Sequence, residues 1–182
     1  MAKLVAKVYG DALFAEAVEK QKVDLLFEEA KTLRNVCLEN EDLMQFLNHP
    51  KVVKEEKISV MENVFSGRIC DDLMGFLTII VDKGRQKEIL RILDYFIAKV
   101  KEYKKIGVVC VTSAIELDDG QKARIREKLL KTTQFLELEI DYHVDSSLIG
   151  GLVIRIGDRV VDSSIRTKLE EMKRELMKLQ LT

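Results

Sequence analysis

Apolar residues recur at helical spacing through the first 104 residues of the chain. Positions three and four apart lie on one face of an α-helix, so each such series predicts an amphipathic helix. Six helices are predicted, over residues 4–20, 23–38, 40 or 42 to about 47, 58–65, 71 or 72 to 84, and 86–104. Short amphipathic helices bury their apolar stripes against one another, so residues 1–105 are expected to form an N-terminal six-helix bundle.

The period of the apolar positions changes after Lys105. Residues 106–113 are rich in β-branched side chains, and residues 135–144 alternate apolar with polar side chains, so both are predicted strands. Two shorter strands, 152–156 and 159–161, flank Gly157-Asp158, a two-residue hairpin signal. This part of the chain is therefore expected to contain a mixed sheet.

Two more helices are predicted among these strands. One begins at Asp118, where Gln121 completes a capping box. The other begins at Asp162 or Ser163 and runs to about residue 179, with one apolar side made of Ile165, Leu169, Met172, Leu176 and Leu179. Residues 106–182 are expected to form a small α/β domain, which gives a two-domain α+β chain.

The first helix carries more apolar surface than a single stripe, because Phe14 and Val18 lie outside the main series. One interpretation is a groove that receives an amphipathic helix of a partner protein. The other is that the extra surface is buried inside the bundle. The pattern alone leaves both open.

Charge and composition exclude several classes of function. The 30 basic and 31 acidic residues give a net charge of −1, which argues against nucleic acid as the main partner. Apolar runs stay far below the ~20 residues that a membrane span requires, so any membrane association is expected to be indirect. The spacing of Cys37, Cys70 and Cys110 matches neither a metal site nor a redox pair.

Motifs of catalysis and cofactor binding are missing from the sequence. The glycines Gly150, Gly151 and Gly157 lack the lysine and spacing of a nucleotide P-loop, and a bend and a hairpin explain them better. Paired aspartates such as Asp71-Asp72 stand at predicted helix starts, where capping accounts for them. We expect no catalytic residue, no cofactor and no metal ion.

Three motifs resemble one known family. Residues 145–165, DSSLIGGLVIRIGDRVVDSSI, followed by Lys168-Leu169, resemble the signature of the F-type ATP synthase δ subunit, the family of the mitochondrial oligomycin sensitivity-conferring protein. Residues 9–14, YGDALF, are similar to its first-helix motif, although alanine is more usual there than Gly10. Residues 83–85, KGR, are similar to its basic turn between the fifth and sixth helices.

The resemblance implies a non-catalytic stator subunit that links the catalytic α/β head of the synthase to its peripheral b stalk. It implies that residues 1–105 bind the N-terminal helix of an α subunit and that residues 106–182 bind the b subunits. The implied contacts with the α subunit are Val5, Tyr9, Ala12, Leu13, Phe76, Ile79, Ile80 and Lys83. The implied signature residues, mainly structural, are Asp145, Gly150, Gly151, Gly157, Asp162 and Ser164. It also implies a peripheral location on the cytoplasmic face of a bacterial plasma membrane.

Two other classes of function remain as alternatives. A helical adaptor or RNA-binding bundle fits residues 1–105, although the charge balance opposes RNA. A small phosphate-using enzyme built around Gly150-Gly151 would lack a nucleophile, a base and a lysine in register.

Overall fold

A computed structural model describes residues 2–65 and 67–179. The chain divides into two compact units, Met1–Val100 and Lys101–Thr182. The described residues from Ala2 to Tyr103 form six α-helices: α1 (Ala2–Glu19), α2 (Val23–Glu39), α3 (Glu41–Asn48), α4 (Lys54–Phe65), α5 (Asp71–Asp82) and α6 (Ile89–Tyr103). A 3-10 turn, Gln86–Glu88, precedes α6.

All six helices contribute to one apolar core. Helices α2 to α6 turn most of their predicted apolar residues inward, which removes those side chains from water. Helix α1 buries Ala6, Leu13 and Ala17 but leaves part of its predicted series exposed. The largest side chains that are completely buried there are Leu13, Leu26, Leu33, Leu47, Leu73, Leu77, Ile80, Ile89, Ile92, Leu93 and Phe96.

The second unit contains a mixed four-stranded sheet within its described residues. Its elements are β1 (Ile106–Ser113), α7 (Asp119–Thr132), β2 (Glu137–Val144), β3 (Leu152–Ile156), β4 (Arg159–Asp162) and α8 (Ile165–Leu179). The strand order is β2-β1-β3-β4. β1 is parallel to β2, whereas β1–β3 and β3–β4 are antiparallel. The predicted α+β class and the predicted mixed sheet are confirmed.

Helix α7 covers one face of this sheet unevenly. Val109, Val111 and Leu138 of β1 and β2 are buried against Leu129 of α7. Alternate residues of a strand share a face, so β3 contributes Leu152, Ile154 and Ile156 to the same side. These three side chains are only partly buried, so the β3–β4 half of the face is the less covered half.

The ends of several elements differ from the predicted ones for local reasons. Asn40, one of the two predicted caps of α3, is its N-cap residue, but its side chain makes no capping hydrogen bond there and instead donates to the Val36 carbonyl at 2.9 Å, at the end of α2. The sixth helix begins with the 3-10 turn instead of a full α-helical turn. α8 begins two or three residues later than predicted, because the Asp162 carboxylate accepts from the Ser164 N–H at 2.8 Å in a turn before the helix.

The predicted capping box at the start of α7 is confirmed. The Gln121 N–H donates to the Asp118 carboxylate at 2.7 Å, and the Asp118 N–H donates to the Gln121 side-chain oxygen at 3.0 Å. Among the helices of residues 2–65 and 67–179, none has the length and apolar character to cross a membrane.

Candidate partner-binding surfaces

Helices α1 and α5 meet through an aromatic pair. The rings of Tyr9 and Phe76 pack edge to face, with their centroids 6.4 Å apart and their planes at 66°. Such pairs contribute about 0.5–1.5 kcal/mol beyond the area that they bury. Phe76 is buried and Tyr9 is half-buried, so the tyrosine ring forms the outer part of this junction.

Asp72, in the first turn of α5, joins α5 to the end of α1. Its two carboxylate oxygens accept from Lys20 Nζ at 2.5 Å and from Lys22 Nζ at 2.8 Å. The hydrogen bond from Lys20, followed by that from Lys22, holds the pKa of the Asp72 carboxyl below its ordinary value. The same pairs raise the pKa of both lysines. These contacts hold the two helices together at the C-terminal end of α1, whereas Tyr9 lies near the middle of that helix.

An exposed apolar surface borders the aromatic pair. On α1 it consists of Leu4, Val8, Ala12 and Ala15, which follow helical spacing along one line. Ile79 lies on the exposed side of α5, with 53 % of its surface accessible, one turn beyond Phe76. We call these five residues the α1–α5 surface. Its exposed apolar side chains suit the apolar side of an amphipathic helix.

The eight predicted contacts for the α subunit fall into two groups. Ala12, Ile79 and Lys83 are exposed, and Val5 and Tyr9 are half-buried. The other three, Leu13, Phe76 and Ile80, are buried in the helical core. The exposed positions Leu4 and Val8 were not selected from the sequence, although their four-residue spacing continues to Ala12.

Gly10 stands where the family that the motifs resemble usually has alanine, and the packing around it explains why this chain has glycine. A Cβ at Gly10 would lie 2.4 Å from Cδ1 of Tyr95 on α6, which is closer than real side chains approach. The Tyr95 hydroxyl donates to the Asp11 carboxylate at 3.0 Å, and Lys99 pairs with the same carboxylate. The missing methyl group at Gly10 thus lets the Tyr95 ring pack directly on α1.

The signature residues Gly150 and Gly151 lie where the chain packs on itself. A Cβ at Gly150 would lie 2.6 Å from Cδ1 of Ile165, and one at Gly151 would lie 2.3 Å from the Ser163 carbonyl oxygen. Gly151 also has φ +81, a conformation that side chains rarely adopt. This space is filled by the chain's own residues, so the two glycines serve close packing and not a phosphate loop.

Carboxylates and a serine hold the turns on either side of these glycines. Asp145 accepts from the Ser147 N–H at 2.9 Å, and Asp162 accepts from the Thr167 hydroxyl at 2.7 Å. Bonds from Ser147 lower the pKa of Asp145, and the Ser164 N–H lowers that of Asp162. The buried Ser164 hydroxyl accepts from the Thr167 N–H at 3.2 Å and so begins α8.

The remaining signature glycine, Gly157, has φ +55 in the two-residue turn between β3 and β4. Such hairpin turns require positive φ, which glycine adopts at little cost. Ile149, which the sequence did not single out, also has a positive φ of 66 and is exposed. This backbone conformation costs a β-branched residue about 1–3 kcal/mol, so the surrounding turn must stabilise the conformation of Ile149.

The second unit has an open cleft beside α7. It encloses about 980 Å³ above the less covered half of the sheet face. Ile125 and Leu129 of α7 line one wall, and Ile154, Ile156 and Val161 form the floor. Lys128, Asp158 and Arg159 stand at the edges, so the cleft has an apolar floor and a charged rim.

A family model described as ATP synthase delta (OSCP) subunit matches residues 5–176 of the chain. The chain is 54 % identical over 181 residues to "ATP synthase subunit delta" of Lachnoclostridium phytofermentans, with 100 % of each protein covered. It is 34 % identical over 173 residues to the protein of the same name from Lactobacillus gasseri, covering 95 % of this chain and 94 % of that one.

Among solved structures, the chain is similar to one in the cryo-EM structure of the Toxoplasma gondii mitochondrial ATP synthase hexamer. The TM-score is 0.75, with 94 % of this chain and 97 % of that chain covered. The sequence identity is 19 %, so this likeness concerns the fold alone. The sequence matches extend across both units and include all three motifs.

The ion pairs of Asp72 generate a prediction about acid stability. A carboxyl whose pKa is lowered on folding adds stability above its ordinary pKa, 3.8, and loses that contribution as the pH falls through the lower folded value. Asp72→Asn should therefore lower the urea midpoint at pH 7. The difference from wild type should shrink as the pH falls below about 3.8, measured by far-ultraviolet circular dichroism.

Asp71→Asn is the matched control for this measurement. It removes the same charge from the same first turn of α5 but leaves both lysine pairs of Asp72 in place. A smaller change in midpoint is expected for this variant. Equal changes for Asp71→Asn and Asp72→Asn would show that the helix terminus, and not the lysine pairs, carries the effect.

Proposed function

We propose, because the chain belongs to the ATP synthase delta (OSCP) subunit family, that it is a stator subunit joining the catalytic α/β head to the peripheral b stalk. The family resemblance found in the three motifs is confirmed by these matches, as is the prediction of a non-catalytic subunit. In this role the chain resists rotor torque, so that rotation drives ATP synthesis during proton flow instead of turning the head.

The observation that carries the proposal is that each unit has its own exposed apolar surface. The first unit has the α1–α5 surface, and the second has the cleft beside α7. Exposed apolar surface of this kind commonly marks a protein–protein interface. A tether needs two binding surfaces that can be occupied together, whereas an enzyme needs one site with converging reactive groups.

In this proposal the helices of residues 1–105 form the six-helix bundle of the family and bind the N-terminal helix of an α subunit. Val5, Tyr9, Ala12, Ile79 and Lys83 make direct contacts from positions that are exposed or half-buried. Leu13, Phe76 and Ile80 are buried in the core, where they hold the contacting residues of α1 and α5 in place. An amphipathic helix would lie along α1 with Ile79 in contact with its apolar side.

The binding strength that this role needs is within reach of such a surface. An interface of standard size removes ~800 Å² from each partner and can give nanomolar affinity when its apolar anchors fit well. Fully burying an exposed isoleucine contributes about 1.5–3 kcal/mol, and burying the accessible 53 % of Ile79 contributes roughly half of that. Tyr9 and Ile79 are the proposed anchors, because Tyr9 is the outer ring of the aromatic junction between α1 and α5 and Ile79 lies exposed one turn beyond Phe76.

Residues 106–182 bind the b subunits of the stalk in this proposal. The cleft beside α7 offers the apolar floor and charged rim of a protein-binding groove. The signature residues Asp145, Gly150, Gly151, Gly157, Asp162 and Ser164 maintain the shape of the turns near it, since their recorded contacts lie within the same unit. Bacterial relatives support a peripheral location at the cytoplasmic face of the plasma membrane.

Ile79→Asp tests the proposed binding of the α1–α5 surface to the catalytic head. A charge placed where an apolar helix docks should weaken binding of an α-subunit N-terminal peptide at least tenfold, the equivalent of about 1.4 kcal/mol. Titration calorimetry with the full chain measures this. Leu38→Asp, at a residue of α2 with a similar accessible fraction of 50 %, is the control and should bind as wild type does. Equal affinities for Ile79→Asp and wild type would rule out this surface.

Val161→Asp tests the proposed binding of the cleft beside α7 to the b subunits of the stalk. Val161 faces the cleft and is 59 % accessible, whereas its neighbour Val160 is 51 % accessible and points to the other face of β4. Val161→Asp should weaken binding of the soluble part of the b subunits at least tenfold, and Val160→Asp should leave it unchanged. Surface-immobilised stalk protein provides the measurement. The cleft assignment fails if the two variants behave alike.

A further inference from the structure

Helix α8 carries an apolar stripe that its own unit does not bury. Its first turn is held to the unit, because the Ile165 N–H donates to the Gly150 carbonyl at 2.9 Å and the Ile165 side chain packs on Gly150. Beyond that turn Leu169, Met172 and Leu176 are all more than half exposed. Exposed apolar side chains arranged on one line of a helix indicate a surface that binds another chain.

The spacing of the stripe is that of a coiled-coil seam. Ile165, Leu169, Met172 and Leu176 are separated by four, three and four residues. This alternation averages 3.5 residues and defines a narrow seam of a and d positions. A helix that lies on a membrane has a wider apolar face and is often anchored by aromatic residues. α8 has no aromatic residue in Ile165–Leu179.

The positions that flank the seam are mostly basic. In the heptad defined by the seam, Arg166 and Lys173 occupy e positions, and Lys168 and Glu175 occupy g positions. Residues at e and g set the choice of partner through charge pairs across the seam. Three of these four side chains therefore favour acidic residues on the facing helix.

The same flanks oppose pairing of two copies of α8. In a parallel pair, Lys168 of one copy would face Lys173 of the other, and symmetry would repeat that contact. In an antiparallel pair, the flank with Arg166 and Lys173 would meet itself, whereas the other flank would place Lys168 opposite Glu175. Like charges placed opposite each other are unfavourable, so a second copy of this chain suits the seam less well than a helix with acidic residues on both flanks.

We propose that α8 is a coiled-coil seam for a partner helix whose own apolar stripe is flanked by acidic residues. The acidic residues of that helix face Arg166, Lys168 and Lys173, while its apolar residues pack on Leu169, Met172 and Leu176. This inference rests on the proposed function, in which the partner helix belongs to the peripheral stalk. It assigns to the stalk a second contact, separate from the cleft beside α7.

Two designed peptides of equal length test the proposal with the full chain. Both have leucine at a and d positions, and one has glutamate and the other lysine at e and g. Fluorescence anisotropy should show that the glutamate peptide binds at least tenfold more tightly, with an affinity that falls as salt rises. The double variant Lys168→Glu, Lys173→Glu should reverse this preference.

A matched pair of exposed residues separates the seam from the rest of α8. Leu169 is 52 % accessible within the stripe, and Met177 is 57 % accessible outside it. Leu169→Asp should reduce binding of the glutamate peptide at least tenfold, and Met177→Asp should leave it unchanged. Both residues are exposed, so both variants are expected to keep the circular dichroism spectrum of wild type.

Several outcomes would overturn the proposal. These are equal binding of the two peptides, binding that Leu169→Asp does not change, self-association of the chain that Leu169→Asp abolishes, and Leu169-dependent binding to vesicles of anionic lipid. Purified b subunits distinguish failure of the seam from failure of the stator function. If they bind wild type and Leu169→Asp equally, the proposed contact between the seam and the stalk is wrong and the stator function stands. If they bind neither protein, the stalk partner is wrong for both the seam and the cleft, even where the glutamate peptide binds.

Discussion

A small core covers only part of the apolar surface of the helices and strands that form it, and this constraint shapes both units of the chain. Surface grows relative to volume as a domain becomes smaller, so a unit of about 80–100 residues buries a smaller fraction of its chain than a large domain does. In the second unit α7 covers β1 and β2 well, and β3 and β4 less so. In the first unit one line of α1 stays outside a core to which all six helices contribute. The apolar surface that remains is the part of the molecule that can bind other chains.

Local contacts keep those surfaces in place without using them. Tyr9 and Phe76 pack at the junction of α1 and α5, and Asp72 ties the two helices through Lys20 and Lys22. In the second unit the close approach of Gly151 to Ser163 holds β3 against the start of α8. In the proposed role such rigidity favours binding, because a surface that has to be ordered on binding loses part of its affinity to the cost of that ordering.

Much of this architecture could be predicted from the sequence because the periods are strong. The apolar stripes of α2 and α5 and the strand β1 were predicted to within a residue or so, and the capping box at Asp118 and Gln121 fixed the start of α7. The start of α8 was missed, because Asp162 could cap a helix or hold a turn and the sequence does not distinguish the two. Periodicity also did not tell which apolar residues of α1 face outward. Leu13 was therefore grouped with the exposed Ala12, although the structure buries it. The identity of the proposed partners came from the motifs, since apolar surfaces do not name what binds them.

The central claim is that one chain is bound by head and stalk at the same time, each through its own unit. Native mass spectrometry of the full chain mixed with purified α/β head and soluble b subunits tests this most directly. The account predicts a single complex containing all three components, which is lost when the chain is left out. Separate head–chain and stalk–chain complexes that exclude each other would contradict it.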